Sequence, residues 1–202
     1  MATGADSVFY FEATELPSKL EPWSRPTISG KRLEQQPSSE SVESTGKLLC
    51  PYTLSGELQN ESELGIFINW LNDIHRSRLE ERSCYQNGKR EWYAWHENPP
   101  MENILQKKIL FRDITDDPQF WIDHRGEIIP RHSVYYLVPR DLDIIEDLQS
   151  YLNTEQVKIW LEANCDQARD GYLRLQSKVL EELPVPTRFF RDSQAEAETS
   201  KA

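Results

Sequence analysis

The feature that most constrains the fold is a set of three strand-like segments between residues 107 and 139. They read KKILFRDI, FWIDHRGEIIP and HSVYYLVP, and they are rich in β-branched and aromatic residues at roughly even spacing. Short segments of this kind indicate neighbouring strands of an antiparallel sheet. The second segment is expected to bend at Arg125-Gly126. This part of the sequence therefore predicts a small, mainly antiparallel sheet.

Helical patterns flank these strands. Asn60 and Glu63 have the spacing of a capping box, and apolar residues then recur at helical spacing over 62–82. Residues 141–164 predict two further short helices, separated near Asn153. With additional strands over 5–11 and 48–52, the sequence predicts an α+β fold, with a small mixed, mainly antiparallel sheet and flanking helices.

The chain length of 202 residues fits one domain. We expect that domain to span 4–187 and the polar residues 188–202 to be a disordered tail. No apolar run approaches the length of a membrane span, and the N-terminus lacks a secretory pattern. The three cysteines, Cys50, Cys84 and Cys165, are widely separated, as expected of reduced thiols in a cytoplasm.

The net charge of −11 argues against general nucleic-acid binding, because phosphate contacts need Lys and Arg. The charge is unevenly distributed, however. Residues 84–140 contain 8 basic and 8 acidic side chains and are locally neutral. The acidity also suits a high-salt cytoplasm, which is a hypothesis about the host.

The segment Asn98-Pro99-Pro100-Met101 is similar to the catalytic motif of amino-directed DNA methyltransferases, which ends in an aromatic residue that stacks on the flipped base. Met101 cannot provide that stacking face. The chain also lacks a glycine-rich loop for a methyl donor. The acidic cluster around Asp116 and Asp123 lacks the lysine of a common nuclease motif. We therefore expect no catalytic, cofactor-binding or metal-binding residues in this chain.

Aromatic and basic residues alternate in two places, and this pattern is typical of surfaces that stack on bases and contact phosphate. Near the N-terminus, Gly30 lies between basic residues and permits a close approach to a partner. The candidate DNA-binding residues are Arg25, Lys31, Arg32, Arg90, Trp92, Tyr93, His96, Lys107, Lys108, Arg112 and Arg131.

The order of segments along the chain resembles the TaqI-like C-terminal specificity domain, the target-recognition domain of adenine-specific DNA methyltransferases and bifunctional restriction–methylation enzymes. The resemblance runs through GADSVFYF, EPWSRPTISGKRLEQ, RSRLEER with WYAWHE, QKKILFRDI, FWIDHRGEI, DLQSYLNTEQVKIWLE and GYLRLQSKVLEELPVP. It covers about residues 4–187. One departure is Asn153-Thr154, where the family usually has Asn-Ser.

The resemblance implies recognition of double-stranded DNA within a restriction–modification system. It implies a methyltransferase catalytic domain or subunit as partner, with S-adenosylmethionine bound there and no cofactor in this chain. We expect this chain to lack that catalytic domain, so the resemblance leaves its own enzymatic activity open. Two alternatives remain: methyl transfer by the chain itself through Asn98, and a non-catalytic protein-interaction module. Methyl-donor binding would support the former, and the absence of DNA binding would support the latter.

Overall fold

The computed structural model describes residues 1–168 and 171–189, in which short helices alternate with small sheets. The helices are α1 (Asp6–Phe9), α2 (Gly30–Leu33), α3 (Glu61–Leu64), α4 (Ile66–Glu80), α5 (Ser83–Gln86), α6 (Met101–Ile104), α7 (Ile145–Leu152), α8 (Glu155–Asn164) and α9 (Ser177–Glu181). Short 3-10 turns cover Ser18–Trp23, Leu142–Ile144 and Thr187–Phe189. The longest described helix, α4, begins after Gly65, whose positive φ of 47° separates it from α3.

The strands divide into three sheets. They are β1 (Tyr10–Glu12), β2 (Ser24–Ile28), β3 (Gly46–Leu49), β4 (Lys108–Arg112), β5 (Ile114–Thr115), β6 (Phe120–Asp123), β7 (Ile129–Pro130), β8 (Val134–Leu137), β9 (Asp166–Gln167) and β10 (Leu173–Arg174). The sheet orders are β1-β3-β2-β7, β6-β4-β8 and β5-β10-β9. Neighbouring strands are antiparallel except that β7 runs parallel to β2.

The sheet β6-β4-β8 is covered on both faces. Ile109 and Phe111 of β4 pack with α7 and α8, whereas Leu110 packs on the opposite side with Ile28 and Trp121. Successive side chains of a strand point to opposite faces, so β4 requires apolar residues at consecutive positions. This requirement explains why KILF is an unbroken apolar run in the sequence.

A separate core surrounds α4 and the aromatic segment 92–95. Phe67 and Leu71 of α4 are fully buried there, as is Trp95, whose indole N–H donates to the Leu49 carbonyl at 3.1 Å. Large aromatic side chains bury much apolar area, so this core offsets the low overall hydrophobic content of the chain. The aromatic segment thus connects α4 to β3.

A buried ion pair lies at the start of β4. The Lys108 ammonium donates to Asp123 Oδ2 at 2.5 Å, and neither side chain is more than 2% exposed. The two oxygens of Asp123 also accept the backbone N–H groups of Gly126 (3.0 Å) and Ile128 (2.9 Å). Gly126 has a φ of +67°, and a Cβ there would lie 2.5 Å from the carbonyl carbon of Gln106. The carboxylate therefore fixes the turn between β6 and β7.

The structure confirms the α+β class, the mainly antiparallel pairing and the flanking helices. The capping box is also confirmed, because the Asn60 N–H donates to the Glu63 carboxylate at 2.8 Å. The helices on either side of Asn153 are confirmed as α7 and α8. The Asn153 amide bonds the Phe120 backbone at 2.9 Å, so this break in the helical pattern attaches to β6.

Two predictions of local structure are wrong. Residues 5–11 begin with α1 and become strand only at Tyr10, because the Val8 and Phe9 N–H groups bond back to the Ala5 carbonyl. The segment 120–130 is not one bent strand. It forms β6 and β7, which belong to different sheets, because the turn at Gly126 redirects the chain.

The predicted disordered tail, 188–202, lies outside the described residues except for its first two positions. Arg188 and Phe189 belong to the final 3-10 turn, and the Phe189 ring lies 5.7 Å from that of Tyr151. Ordered structure therefore continues slightly past the predicted domain end.

We predict that Asp123→Ala strongly destabilises the fold. It leaves the Lys108 ammonium buried without its counter-ion and frees two backbone N–H groups, so the free energy of unfolding should fall by about 3–5 kcal/mol. Urea denaturation measures this loss. Asp117→Ala is the matched control, because its pair with Lys158 is exposed and should contribute at most about 1 kcal/mol. Equal effects of the two substitutions would contradict the prediction.

Candidate nucleic-acid interface

The short helix α2 lies against the loop that follows β7. The Gly30 N–H donates to Ser133 Oγ at 3.0 Å. A Cβ at residue 30 would lie 3.0 Å from that oxygen and 3.1 Å from the Ser133 carbonyl oxygen, so this approach favours glycine. The exposed residues Lys31 and Arg32 are thereby held beside the loop 131–133.

Arg131 connects this loop to the N-terminal segment. Its guanidinium is hydrogen-bonded to the Asp6 carboxylate and lies 4.2 Å from the centre of the Tyr10 ring. His132 Nδ1 lies 3.9 Å from the same carboxylate. Burial disfavours ionisation of Asp6, but hydrogen bonds from Thr3 and Arg131 hold the pKa of Asp6 below its ordinary value.

Arg32 and Arg131 both act electrostatically on Tyr10. Burial and the hydrogen bond to Glu12 raise the pKa of Tyr10, and the positive charges of Arg131 and Arg32 oppose that rise. The contact between Gly30 and Ser133 holds the helix that carries Arg32 against the loop that carries Arg131. We call Lys31, Arg32, Arg131 and His132 the basic patch.

Arg112 lies beside the basic patch but is engaged within the fold. Its Nη1 atom lies 2.7 Å from the Glu34 carboxylate, just beyond the end of α2, and its side chain is 19% exposed. This ion pair joins β4 to α2. Arg112 therefore supports the helix that presents Lys31 and Arg32.

Arg90 and His96 border a cleft of about 310 Å³. Its lining residues are Ser83, Cys84, Asn87, Lys89, Arg90 and His96. The backbone N–H of His96 donates to the Thr3 carbonyl at 3.0 Å. Asp6, three residues after Thr3, contacts Arg131. Residues 3–6 thus connect this cleft to the basic patch.

Trp92 and Tyr93 do not face solvent. Trp92 is 3% exposed and Tyr93 is 5% exposed. The Trp92 indole N–H donates to Glu61 at 2.8 Å, and the Tyr93 hydroxyl donates to the Gln59 carbonyl at 3.0 Å. The prediction that these rings lie near a DNA face is not met in this structure, because both fill the core around α4.

Lys107 and Lys108 are both paired with acids. Lys107 donates to Glu146 at 2.5 Å across the surface, with the Lys107 side chain 27% exposed. Lys108 is 0% exposed and neutralises Asp123. Burial lowers the pKa of Lys108, and the charge of Asp123 opposes that decrease. Lys108 therefore has no access to a phosphate in this structure, which corrects its predicted role.

Arg25 lies apart from the basic patch. It borders a different cleft of about 220 Å³, together with Trp23, Cys50 and Tyr52. Burial raises the pKa of the Cys50 thiol to about 11, with the charge of Arg25 acting in the opposite sense. The sequence neighbours Arg25 and Lys31 are thus separated by β2 and its turn into α2.

Asn98 has a structural contact rather than an open catalytic position. Its Oδ1 accepts a hydrogen bond of 2.6 Å from Arg90 Nη1. Met101 is fully buried at the start of α6. The irregular Asn-Pro-Pro segment, which precedes α6, therefore orients Arg90.

Within residues 1–168 and 171–189, no group of His, Cys, Asp or Glu is placed to hold a metal ion. In the same residues, no helix is both long and apolar enough to cross a membrane.

Several neighbours of the candidate residues were not identified from the sequence. His132 and Asp6 contact each other and Arg131 but lie 126 positions apart in the chain. Lys89 lies next to Arg90 and adds a third basic side chain to the cleft. Lys89 could have been proposed from the sequence because it is adjacent to Arg90. The contact between Asp6 and Arg131 could not, because it depends on tertiary packing.

Comparison with known proteins identifies the family of this chain. The model of the TaqI-like C-terminal specificity domain matches residues 62–185, more than half of the chain. The chain belongs to this family. The matched range lies inside the span 4–187 over which the sequence resembles the family.

Two similar proteins are type II methyltransferases. M.PaeR7I of Pseudomonas aeruginosa is 24% identical over 188 residues, which cover 92% of this chain and 31% of the relative. M.XhoI of Xanthomonas vasicola is 23% identical over 190 residues, which cover 92% of this chain and 33% of the relative. The chain thus spans about a third of the length of these relatives.

We predict that Asp6 stabilises the fold in a pH-dependent manner. A carboxyl with a depressed pKa contributes stability above its unfolded pKa of about 3.9, and this contribution disappears as pH falls through the folded value. Because Asp6 is 35% exposed, Asp6→Asn should cost less than about 1 kcal/mol at pH 7, and this cost should shrink as the pH is lowered toward 2.

Urea denaturation of the wild type and Asp6→Asn between pH 7 and pH 2 tests this dependence. Asp73→Asn is the control, since Asp73 is exposed on α4 and makes no ion pair within the described residues. A constant difference between Asp6→Asn and wild type at every pH would show that the carboxylate charge is not responsible.

Proposed function

We propose that this chain recognises a DNA sequence for an adenine-specific methyltransferase of a restriction–modification system. Its membership of the specificity-domain family supports a recognition role. The observation that carries the DNA-binding part is the basic patch, in which Lys31 and Arg32 are exposed beside Arg131. Within the described residues neither Lys31 nor Arg32 has an acidic partner, so both are available to phosphate.

The basic patch is significant because the chain is acidic overall. A protein with a net charge of −11 repels DNA except where cations are concentrated. Gly30 and Ser133 hold α2 against the loop 131–133, so this concentration is built into the fold. Duplex DNA would approach through this patch, and residues near it would read base edges.

The catalytic step would belong to a methyltransferase domain or subunit that binds S-adenosylmethionine. The relatives M.PaeR7I and M.XhoI are about three times as long as the region matched here. In this chain the Asn98 side chain is engaged with Arg90, and Met101 is buried, which disfavours methyl transfer by the Asn-Pro-Pro segment. Methyl-donor binding by the purified chain would overturn this assignment.

We predict that Lys31→Ala/Arg32→Ala weakens DNA binding. Loss of two phosphate contacts should reduce the slope of log K against log salt concentration by about two and lower the affinity at low salt by about tenfold or more. Fluorescence anisotropy with a randomised duplex pool measures both quantities. Sequences enriched from the same pool would show the site preference expected of a recognition domain.

The matched control is Lys178→Ala, which removes an exposed cation from α9, where the side chain is 69% exposed. It should leave both the affinity and the salt slope nearly unchanged. If the wild-type chain binds no duplex at any salt concentration, even with a methyltransferase partner present, the protein-interaction alternative replaces this proposal.

A further inference from the structure

The cleft beside Arg90 differs in charge from the rest of the molecule. Three of its six lining side chains, Lys89, Arg90 and His96, are basic, and none is acidic. The chain as a whole has 34 acidic and 23 basic residues. A cleft with this composition concentrates positive potential and attracts anions.

Arg90 is held in place with donors to spare. Its backbone N–H donates to the Cys84 carbonyl at 3.1 Å, and its Nη1 donates to Asn98 Oδ1 at 2.6 Å. An arginine has five N–H donors in its guanidinium group, and within the described residues only the Asn98 bond uses one. Asn98 therefore orients Arg90 without neutralising it, since an amide carries no charge.

Lys89 adds a second cation at the cleft. Its backbone N–H donates to the same Cys84 carbonyl at 3.2 Å, so the turn after α5 places Lys89 and Arg90 side by side. The Lys89 side chain is exposed, and the described part of the chain provides it with no ion pair within 4 Å. Both cations are consequently available to a ligand.

Positive charge also lies behind the cleft. The Thr3 carbonyl accepts hydrogen bonds from Arg82 Nη1 and from the backbone N–H of His96, each at 3.0 Å. The half-buried Arg82 also donates to the Leu79 and Trp92 carbonyls, and none of these acceptors carries a formal charge. Its charge therefore adds to the field of the cleft.

Two acids, Glu91 and Glu97, directly follow Arg90 and His96 in the sequence but do not line the cleft. Glu97 accepts a hydrogen bond of 2.8 Å from the Ala2 N–H. Burial raises the pKa of Tyr93, and the charge of Glu91 adds to that rise. Neither acid lines the cleft.

We propose that the Lys89–Arg90–His96 cleft binds a phosphate group. Phosphate oxygens accept hydrogen bonds from the spare guanidinium donors and from the ammonium, and charge-assisted bonds of this kind are the strongest available at an exposed site. The cleft takes either a backbone phosphate of DNA or a free phosphate. The proposal rests on the cleft alone and does not require the proposed function.

The test is a titration of the full chain with inorganic phosphate, followed through the His96 imidazole by ¹H–¹³C NMR, with His96→Gln to assign the signal among the four histidines. Phosphate should shift this signal saturably, and chloride at matched ionic strength should not. Lys89→Ala and Arg90→Gln should each weaken phosphate binding by about tenfold, whereas Lys178→Ala should not.

Two outcomes would overturn the proposal: an equal response to chloride, or unchanged phosphate binding in folded Lys89→Ala. Lys89→Ala alters only an exposed side chain, so it keeps the test valid if Arg90→Gln fails to fold. Measurements of DNA binding distinguish a DNA backbone phosphate from a free phosphate as the ligand. Competition by phosphate and a salt slope reduced by about one in Lys89→Ala identify a DNA backbone phosphate.

If the wild-type chain binds phosphate, Lys89→Ala weakens that binding and the salt slope for DNA is unchanged in Lys89→Ala, a free phosphate is the ligand. The variant Lys31→Ala/Arg32→Ala separates this cleft from the basic patch. It should weaken DNA binding without altering the phosphate response of His96. Failure of DNA recognition and failure of the phosphate cleft are therefore distinguishable.

Discussion

The arrangement of the candidate interface depends on the buried pair between Lys108 and Asp123. The Asp123 carboxylate accepts the Gly126 and Ile128 N–H groups and so fixes the turn after β6. That turn carries the chain out of one sheet and into another, where Ile129 and Pro130 pair with β2. The parallel pairing brings the loop 131–133 beside α2. A buried charge pair in one sheet thereby sets the position of exposed cations at the edge of another.

Contacts of basic side chains within the fold also explain how an acidic chain can present a positive surface. Several basic side chains near the interface are used within the fold: Arg112 holds α2, Arg131 binds Asp6, and Arg82 binds backbone carbonyls. Those that remain without acidic partners, Lys31 and Arg32 in the basic patch and Lys89 and Arg90 at the cleft, lie on backbone that these contacts immobilise. The proposed affinity for phosphate would therefore depend on a few well-placed residues rather than on net charge.

Both groups of cations are connected through the N-terminal segment. Thr3 joins Arg82 to the backbone of His96, and Asp6 engages Arg131 and His132. The Asn-Pro-Pro segment, which resembles a catalytic motif, contributes to this arrangement by orienting Arg90. The segment departs from that motif at Met101, which replaces the stacking aromatic, and no described strand directly precedes Asn98.

The sequence by itself determined the fold class, the capping box, the helices on either side of Asn153 and the strand-forming segments that contain β4, β6 and β8, because periodicity and capping are local properties of the chain. It also nominated Lys31, Arg32, Arg90, His96 and Arg131 as candidates, of which His96 and Arg131 contact residues 3–6 in the tertiary structure. Composition alone could not separate these from Lys108, Trp92 and Tyr93, because burial depends on which face of an element meets a core. Only the tertiary structure decided that Lys108 neutralises Asp123 and that Asp6 reaches Arg131 across 125 positions.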